Sequence, residues 1–152
     1  MIKPPSIQSD YTLVYSGDPS LALPTGERER EKALEVARET GQWAALIIDR
    51  ESPTLFHVRP IFGRTLDWMI SEIRRRQMSG AESAVLALKL GLRSVEGFGD
   101  HRVDFEHVEG HQIATDKIID ALYAIDGVGR DIVQELGGVV LARALDGLRP
   151  KS

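Results

Sequence analysis

The stretch Pro53-Thr-Leu-Phe-His-Val-Arg-Pro-Ile-Phe-Gly-Arg-Thr65 decides how the rest of the chain can fold. Across residues 55–61, large apolar side chains alternate with polar ones, a pattern that predicts a half-buried strand. Pro60 has no N–H to donate, so the strand is expected to lie at a sheet edge or to end there. Apolar residues then recur at helical spacing from Leu66, and Thr65 is expected to cap that helix with its hydroxyl.

The composition of the chain excludes several classes of protein. Its 152 residues favour a single domain, and its formal net charge of −4 argues against bulk attraction to nucleic acid or anionic lipid. The absence of cysteine rules out disulfides and thiolate metal sites. The first residues lack the apolar region of a signal peptide, and no apolar run is long enough to span a bilayer, so a soluble protein is expected.

Residues 1–25 are expected to form an extended N-terminal arm, because four prolines interrupt them and their apolar residues are scattered. Residues 11–15 alternate well enough to pair as a short strand. The arm either wraps its own domain or grips a neighbouring subunit, since its apolar side chains have to be buried. In the second case the interaction residues are Tyr11, Leu13, Tyr15, Leu21 and Leu23.

Two helices in the first two thirds of the chain carry clear local signals. Residues 27–40 begin with acidic side chains and are followed by Gly41, which predicts a helix that ends there. Ser79 and Glu82 have the spacing of a capping box. The helix that they open is apolar at nearly every position over residues 81–90, so it is expected to be buried.

Two β-hairpins are predicted from apolar runs that flank turn residues. The runs 42–48 and 55–61 enclose the turn-rich residues 49–53, which indicates one hairpin. Residues 92–98 and 102–105 are expected to form a second strand pair around a turn at Gly99 and Asp100.

The C-terminal third is predicted to hold two more helices. Thr115 is expected to begin the first, which Asp126-Gly-Val-Gly129 interrupts, and residues 131–145 are expected to form the second. The pair Gly137-Gly138 lies inside that last helix, where each glycine costs about 1 kcal/mol relative to alanine. The pair therefore either permits a close helix crossing or marks a break. Residues 147–152 are expected to form a loose tail.

Three of the four histidines fall within one short segment that is also rich in carboxylates. Two histidines and a carboxylate can bind zinc or iron. However, His107 and His111 would align only on a helix, and Gly110 and its surroundings are not helical in pattern. An exposed polar loop without metal is therefore the favoured interpretation. The candidate ligands are His101, His107 and His111, with Asp100, Asp104, Glu106 and Glu109.

A second segment resembles a helix-hairpin-helix motif, in which a Gly-Val-Gly turn offers backbone amides to a DNA phosphate. The resemblance rests on Gly127-Val-Gly129, but Arg130 is the only cation nearby, and Asp126 and Asp131 flank the turn. Phosphate binding without basic support is poor, so a glycine turn between two packed helices is favoured. Arg74-Arg-Arg76 is the other feature that would suit nucleic acid, and it is a short cluster in an acidic chain.

The sequence offers no basis for nucleophilic or phosphoryl-transfer catalysis. It contains no cysteine, no nucleophile elbow and no serine with an evident histidine and acid partner. Its glycine-rich turn lacks the lysine or third glycine of phosphate-binding loops. The protein is therefore not expected to be an enzyme.

Several segments resemble a group of small morphogenesis proteins from tailed bacteriophages. In that group a helix leads into a Gly-Leu-x-Gly-Trp-Glu-like segment, a short strand pair and a C-terminal helix with Glu-Leu-x-x-x-Ile. The resemblance spans roughly residues 53–145, and its motifs are structural. The matching pieces are Pro53-Thr-Leu-Phe-His-Val-Arg-Pro60, Ala87-Leu-Lys-Leu-Gly-Leu92, Val95-Glu-Gly-Phe98, Val103-Asp-Phe105 and Ile132-Val-Gln-Glu-Leu136.

We therefore predict an α+β fold with about four main helices and one or two small antiparallel β-hairpins, in a single globular domain over residues 26–146. The resemblance implies a non-enzymatic role in virion or tail assembly, as a tail assembly chaperone or a minor structural protein. It implies no cofactor, and it places the protein in the host cytoplasm during assembly or in the virion. The partners would be other phage structural or tail proteins or a second copy of the chain, and neither nucleic acid nor a membrane.

Two alternative functions remain open from the sequence. One is a small nucleic-acid-binding protein that uses Gly127-Val-Gly129 and Arg74-Arg-Arg76. The other is a metal-dependent enzyme built on His101, His107 and His111.

Overall fold

The computed structural model describes residues 9–47, 52–146 and 148. Within them it has five α-helices and five strands, which confirms the predicted α+β class. No helix in this part of the chain is both long and apolar enough to cross a membrane. In chain order the elements are β1 (Tyr11–Leu13), α1 (Glu27–Thr40), a 3-10 turn (Trp43–Leu46), β2 (Leu55–Val58), α2 (Gly63–Arg75), α3 (Gly80–Gly91), β3 (Leu92–Glu96), β4 (Phe105–Val108), β5 (His111–Ala114), α4 (Asp116–Tyr123) and α5 (Gly129–Asp146).

The strand predicted over residues 55–61 forms as β2, the centre of a three-stranded antiparallel sheet of order β1-β2-β3. Phe56 and Val58 are buried, whereas Leu55 and His57 are half-buried, so the alternation in the sequence is confirmed. The strand ends at Val58, before Pro60. Pro60 therefore follows the end of the strand, as one of the two expectations has it, and β2 does not lie at the sheet edge.

The predicted hairpin over residues 42–61 is wrong. Trp43–Leu46 is a 3-10 turn, and β2 pairs with β1 and β3 instead. The indole N–H of Trp43 donates to the carbonyl oxygen of Thr12 at 3.0 Å, which holds the turn against the outer side of β1. Ile47 forms a single bridge with Leu21. The turn predicted at residues 49–53 lies mostly outside the described residues.

The predicted strand pair over residues 92–105 is also wrong. β3 pairs with β2, and β4 forms its own antiparallel hairpin with β5. Glu109 and Gly110 make the two-residue turn of that hairpin, with φ of 52° and 84°. Positive φ at both positions is what the common two-residue hairpin turn requires. The segment expected to be a polar loop is therefore a strand hairpin.

Most helix boundaries follow local signals. α1 covers the predicted residues and ends at Gly41, whose φ is 70°. The capping box at Ser79 is confirmed, because its hydroxyl accepts from the Glu82 amide while the Glu82 carboxylate accepts from the Ser79 amide. Thr65 does not cap α2, since the helix begins two residues earlier with Phe62 as its N-cap residue. Its hydroxyl instead lies 3.3 Å from Nδ1 of His111.

The core is centred on the crossing of α3 and α5. Gly137 lies against Ala84, and a Cβ on Gly137 would be 2.3 Å from the Ala84 carbonyl oxygen. Of the two roles considered for the glycine pair, close helix crossing is confirmed, and α5 continues unbroken through it. Ala87, Leu88 and Leu90 on α3 are fully buried at this crossing.

Candidate functional site

The arm residues proposed for gripping a neighbour lie against their own domain. Leu13 and Leu21 are buried, with exposures of 1% and 8%. Tyr11 and Tyr15 pack on the main core, and Leu23 packs on a smaller cluster beneath α1. Because β1 pairs with β2, the described part of the arm packs on its own domain, which is the first of the two arrangements expected for it.

The outer side of β4 presents unpaired backbone groups. The Asp104 carbonyl accepts a 2.8 Å hydrogen bond from the Thr115 amide, so even-numbered residues of this strand point their backbone groups toward β5. Phe105 and His107 therefore direct their N–H and C=O groups away from β5. No other backbone group in the described parts of the chain bonds to them.

Two other sheet edges each have one outward backbone carbonyl bonded by a side chain. On β1, the Thr12 carbonyl accepts a hydrogen bond from the Trp43 indole N–H. Arg59 donates from Nη2 to the outward carbonyl of Gln112 on β5 at 2.6 Å, and from Nε to the Leu90 carbonyl at 2.9 Å. The exposed side of β4 contrasts with both, because no side chain bond to its outward groups occurs within the described residues.

The side chains of β4 are as open as its backbone. Phe105, Glu106 and His107 are exposed and Val108 is half-buried, although neighbouring residues in a strand point to opposite faces. Phe105 is 36% exposed, and the Arg93 guanidinium carbon lies 5.7 Å from its ring centroid. On the partner strand β5, in contrast, Ile113 and Ala114 are buried. The hairpin is therefore anchored through β5 and exposes both faces of β4.

The turn of the hairpin is fixed to α2 by an aromatic contact. The Trp68 indole N–H donates to the Glu109 carboxylate at 2.7 Å. The Trp68 and His111 rings stack with centroids 4.9 Å apart, and Thr65 contacts the same imidazole. These contacts fix the turn end of the hairpin to α2.

The three clustered histidines have separate environments. His101 packs on the Phe98 ring at 4.6 Å, and His111 stacks on Trp68 as described. His107 pairs with Gln112 across the hairpin, whereas His111 pairs with Val108, which places their side chains on opposite faces. Within residues 9–47, 52–146 and 148, no group of three histidine or acidic side chains is arranged to hold a metal ion.

One buried acid pairs with two of the three arginines at the end of α2. Glu72 is 5% exposed and accepts hydrogen bonds from Arg75 at 2.8 and 2.9 Å. Arg76 lies 2.9 Å from the same carboxylate. The hydrogen bond to Glu72 raises the pKa of Arg75 above its usual value. Two of the three guanidinium groups are therefore already paired, which weakens a phosphate-binding interpretation.

The Gly-Val-Gly segment joins α4 to α5, as a helix-hairpin-helix reading requires. Gly127 has φ of 77° and makes the turn. A Cβ on Gly129 would lie 2.4 Å from the Leu122 carbonyl oxygen, so this glycine is needed for close packing of the two helices. Backbone conformation therefore explains Gly127 and close packing explains Gly129, without a phosphate ligand.

A hydroxyl, an imidazole and a carboxylate meet across the three-stranded sheet, and no local pattern in the sequence predicts this arrangement. The Thr12 hydroxyl is 3.0 Å from Nδ1 of His57, and Nε2 of His57 is 3.1 Å from the Glu96 carboxylate. The Glu96 oxygen is out of line for a hydrogen bond, so Nε2 is buried without a hydrogen-bond partner in the structure. The three residues have the chemistry of a nucleophile triad, but they lie on three strands that are remote in sequence.

The larger clefts lie away from that triad. A cleft of about 630 Å³ opens between α4 and the loop before β4, lined by charged side chains over an apolar floor at Ile118. An apolar groove of about 370 Å³ lies between α1 and the 3-10 turn, where Val36 is 49% exposed. Thr12 lines neither of them, so the triad has no substrate site beside it in either cleft.

Comparison of the chain with protein family models, with curated proteins and with solved structures finds no match.

Proposed function

We propose that the protein acts by binding other proteins during bacteriophage virion or tail assembly, as a tail assembly chaperone or a minor structural protein. The resemblance over residues 53–145 supplies the biological setting. The observation that carries the binding role is the exposed strand β4, whose outward N–H and C=O groups lack a backbone partner in the described residues. Such an edge is a ready template for pairing with another chain.

Exposed apolar side chains on other elements support the same role. Phe62, the N-cap residue of α2, is 62% exposed, which is unusual for a large aromatic side chain. Tyr123 and Val128 lie at the junction of α4 and α5 with exposures of 42% and 37%. These residues offer apolar contact area at points where the structure has no need of it for its own core.

The alternative functions have less support from the geometry. Glu72 forms ion pairs with Arg75 and Arg76, two of the three arginines that a nucleic-acid-binding surface would need. The histidines of the metal-dependent reading have different packing partners, His101 on Phe98 and His111 on Trp68.

Gradient sedimentation of infected-cell extracts tests the proposal. A minor structural protein is expected to travel with phage particles, whereas an assembly chaperone is expected in lighter fractions, bound to an unassembled tail or head protein. Purified protein mixed with individually purified phage proteins should give a complex larger than either component alone. A chain that stays monomeric, binds no phage component and turns over a substrate would contradict the proposal.

A further inference from the structure

We propose that the outer edge of β4 binds an extended segment of a partner protein in which a lysine or arginine lies opposite Glu106, between two apolar residues. This inference rests on the proposed function and specifies the chemistry of the partner. It follows from the direction of the backbone groups, the charges along the strand and the symmetry that a second copy would impose.

The backbone fixes the register of an added strand. Phe105 and His107 both point their N–H and C=O groups outward, so an antiparallel strand can form four hydrogen bonds with them. Glu106 lies between them, at a position where paired residues do not exchange hydrogen bonds. Side chains approach most closely at such positions, so the residue opposite Glu106 contributes most to charge recognition.

The carboxylates along this edge differ in how far they are already neutralised. Asp104 lies 3.5 Å from Lys117, and Glu109 accepts a hydrogen bond from Trp68. Glu106 is exposed, and among the residues that the structure describes no cation pairs with it. An incoming cation would therefore meet one unneutralised carboxylate at the centre of the strand.

The flanking positions favour apolar residues. Phe105 and His107 lie on the face of β4 opposite to Glu106, because side chains alternate along a strand. Phe105 presents an exposed ring there. Residues on either side of the cation would lie opposite these two rings, where aromatic and β-branched pairs stabilise a sheet.

A second copy of the chain is the poorer occupant. A twofold axis that pairs two β4 strands antiparallel keeps each face of the sheet unchanged, so only residues of the same face can lie opposite each other. The register that satisfies all four outward groups then places Glu106 opposite Glu106 of the second copy. Like charges directly opposite are destabilising, and charged residues on edges are a common means of preventing self-pairing.

The test uses two blocked peptides, Thr-Val-Lys-Val-Thr and Thr-Val-Glu-Val-Thr, titrated into the full chain and followed by amide NMR. The lysine peptide should shift the Phe105 and His107 amides and slow their exchange with solvent. It should bind about fivefold more tightly than the glutamate peptide, because one opposite-charge pair replaces one like-charge pair. Glu106→Lys should reverse this preference. Glu31→Lys makes the same charge change on the exposed side of α1, and it should leave the preference as it is in the natural chain.

Four results would overturn the inference. They are equal binding of the two peptides, amide shifts confined to another surface, no binding up to ~10 mM peptide, and concentration-dependent dimerisation that protects Phe105 and His107 without peptide. The proposed function would fail differently. A complex with a phage protein that leaves these two amides unprotected would support the proposed function and contradict binding at β4. Peptide binding at β4 without any phage partner would support this surface and contradict the proposed function.

Discussion

Two adjacent glycines in α5 should respond in opposite directions to the same substitution. A Cβ on Gly137 would lie 2.3 Å from the carbonyl oxygen and 2.7 Å from the carbonyl carbon of Ala84, both of them backbone atoms of α3. Neither atom can rotate away, so the two helices would have to separate. A Cβ on Gly138 would meet nothing within 4 Å. A comparison of the two variants therefore separates the effect of helix packing on stability from the effect of helix propensity.

The magnitudes follow from these contacts. Gly137→Ala gains helix propensity but overpacks the crossing, and overpacking typically costs about 1–3 kcal/mol, more where backbone has to move. Gly138→Ala should stabilise by about 0.5–1 kcal/mol, since it only reduces the freedom of the unfolded chain and favours helix. For a chain of this size each kcal/mol changes Tm by roughly 2–4 °C.

Urea unfolding followed by circular dichroism measures both variants against the natural chain. We expect a lower midpoint for Gly137→Ala, a higher one for Gly138→Ala, and unchanged slopes for both. If the two variants shift in the same direction, or if Gly137→Ala is neutral, then α3 and α5 do not cross as closely as described.

Three further predictions concern single contacts. Burial raises the pKa of Tyr11 to about 12, an effect that Arg143 partly offsets. The folded state therefore holds the phenolic proton more tightly than the unfolded state does. The resulting stability, at most roughly 2–3 kcal/mol, is complete below pH 10 and is lost as the pH rises toward 12. Tyr11→Phe should show a shallower loss of stability in denaturant titrations over that range, and an identical pH profile would refute the assignment. Trp43→Phe removes both the hydrogen bond to Thr12 and part of the buried indole, so in urea unfolding it should destabilise by more than the roughly 0.5–1.5 kcal/mol of the hydrogen bond alone. No change would mean that neither contact holds the 3-10 turn. Ser79→Ala removes one side of the capping box and should cost about 1 kcal/mol, whereas Ser79→Asp should restore most of it in the same assay.

The helices were largely predictable because their signals are local. α1 ends at Gly41 and α3 begins after the Ser79 capping box, as these residue types predict. The close crossing at Gly137 was one of two readings, and only the position of Ala84 decides between them. Thr65 failed as a cap because the turn before α2 places Gly63 at φ of 58° and starts the helix there.

The strand pairings were not predictable from neighbouring residues. β2 pairs with β1, whose residues lie more than 40 positions earlier, so a turn signal at residues 49–53 carries no information about its partner. The hairpin of β4 and β5 turns at Glu109-Gly110, and glutamate at positive φ gives none of the usual Asn-Gly or Asp-Gly signal.

The candidate surface needed the structure for the same reason. In the sequence, Glu106 and His107 are candidate metal ligands in an exposed polar loop, and Phe105 is the last residue of a predicted strand. Their role as a free edge depends on which backbone groups face β5, and the bond from Thr115 to Asp104 decides that.

The most direct measurement of the central claim is amide hydrogen exchange at Phe105 and His107, free and in complex with a purified phage tail or head protein. We predict rapid exchange of both amides in the free chain and marked slowing in the complex, while the exposed amides of α1 remain unchanged. A stable complex in which these two amides exchange as rapidly as before would contradict the claim that the protein binds its partner along β4.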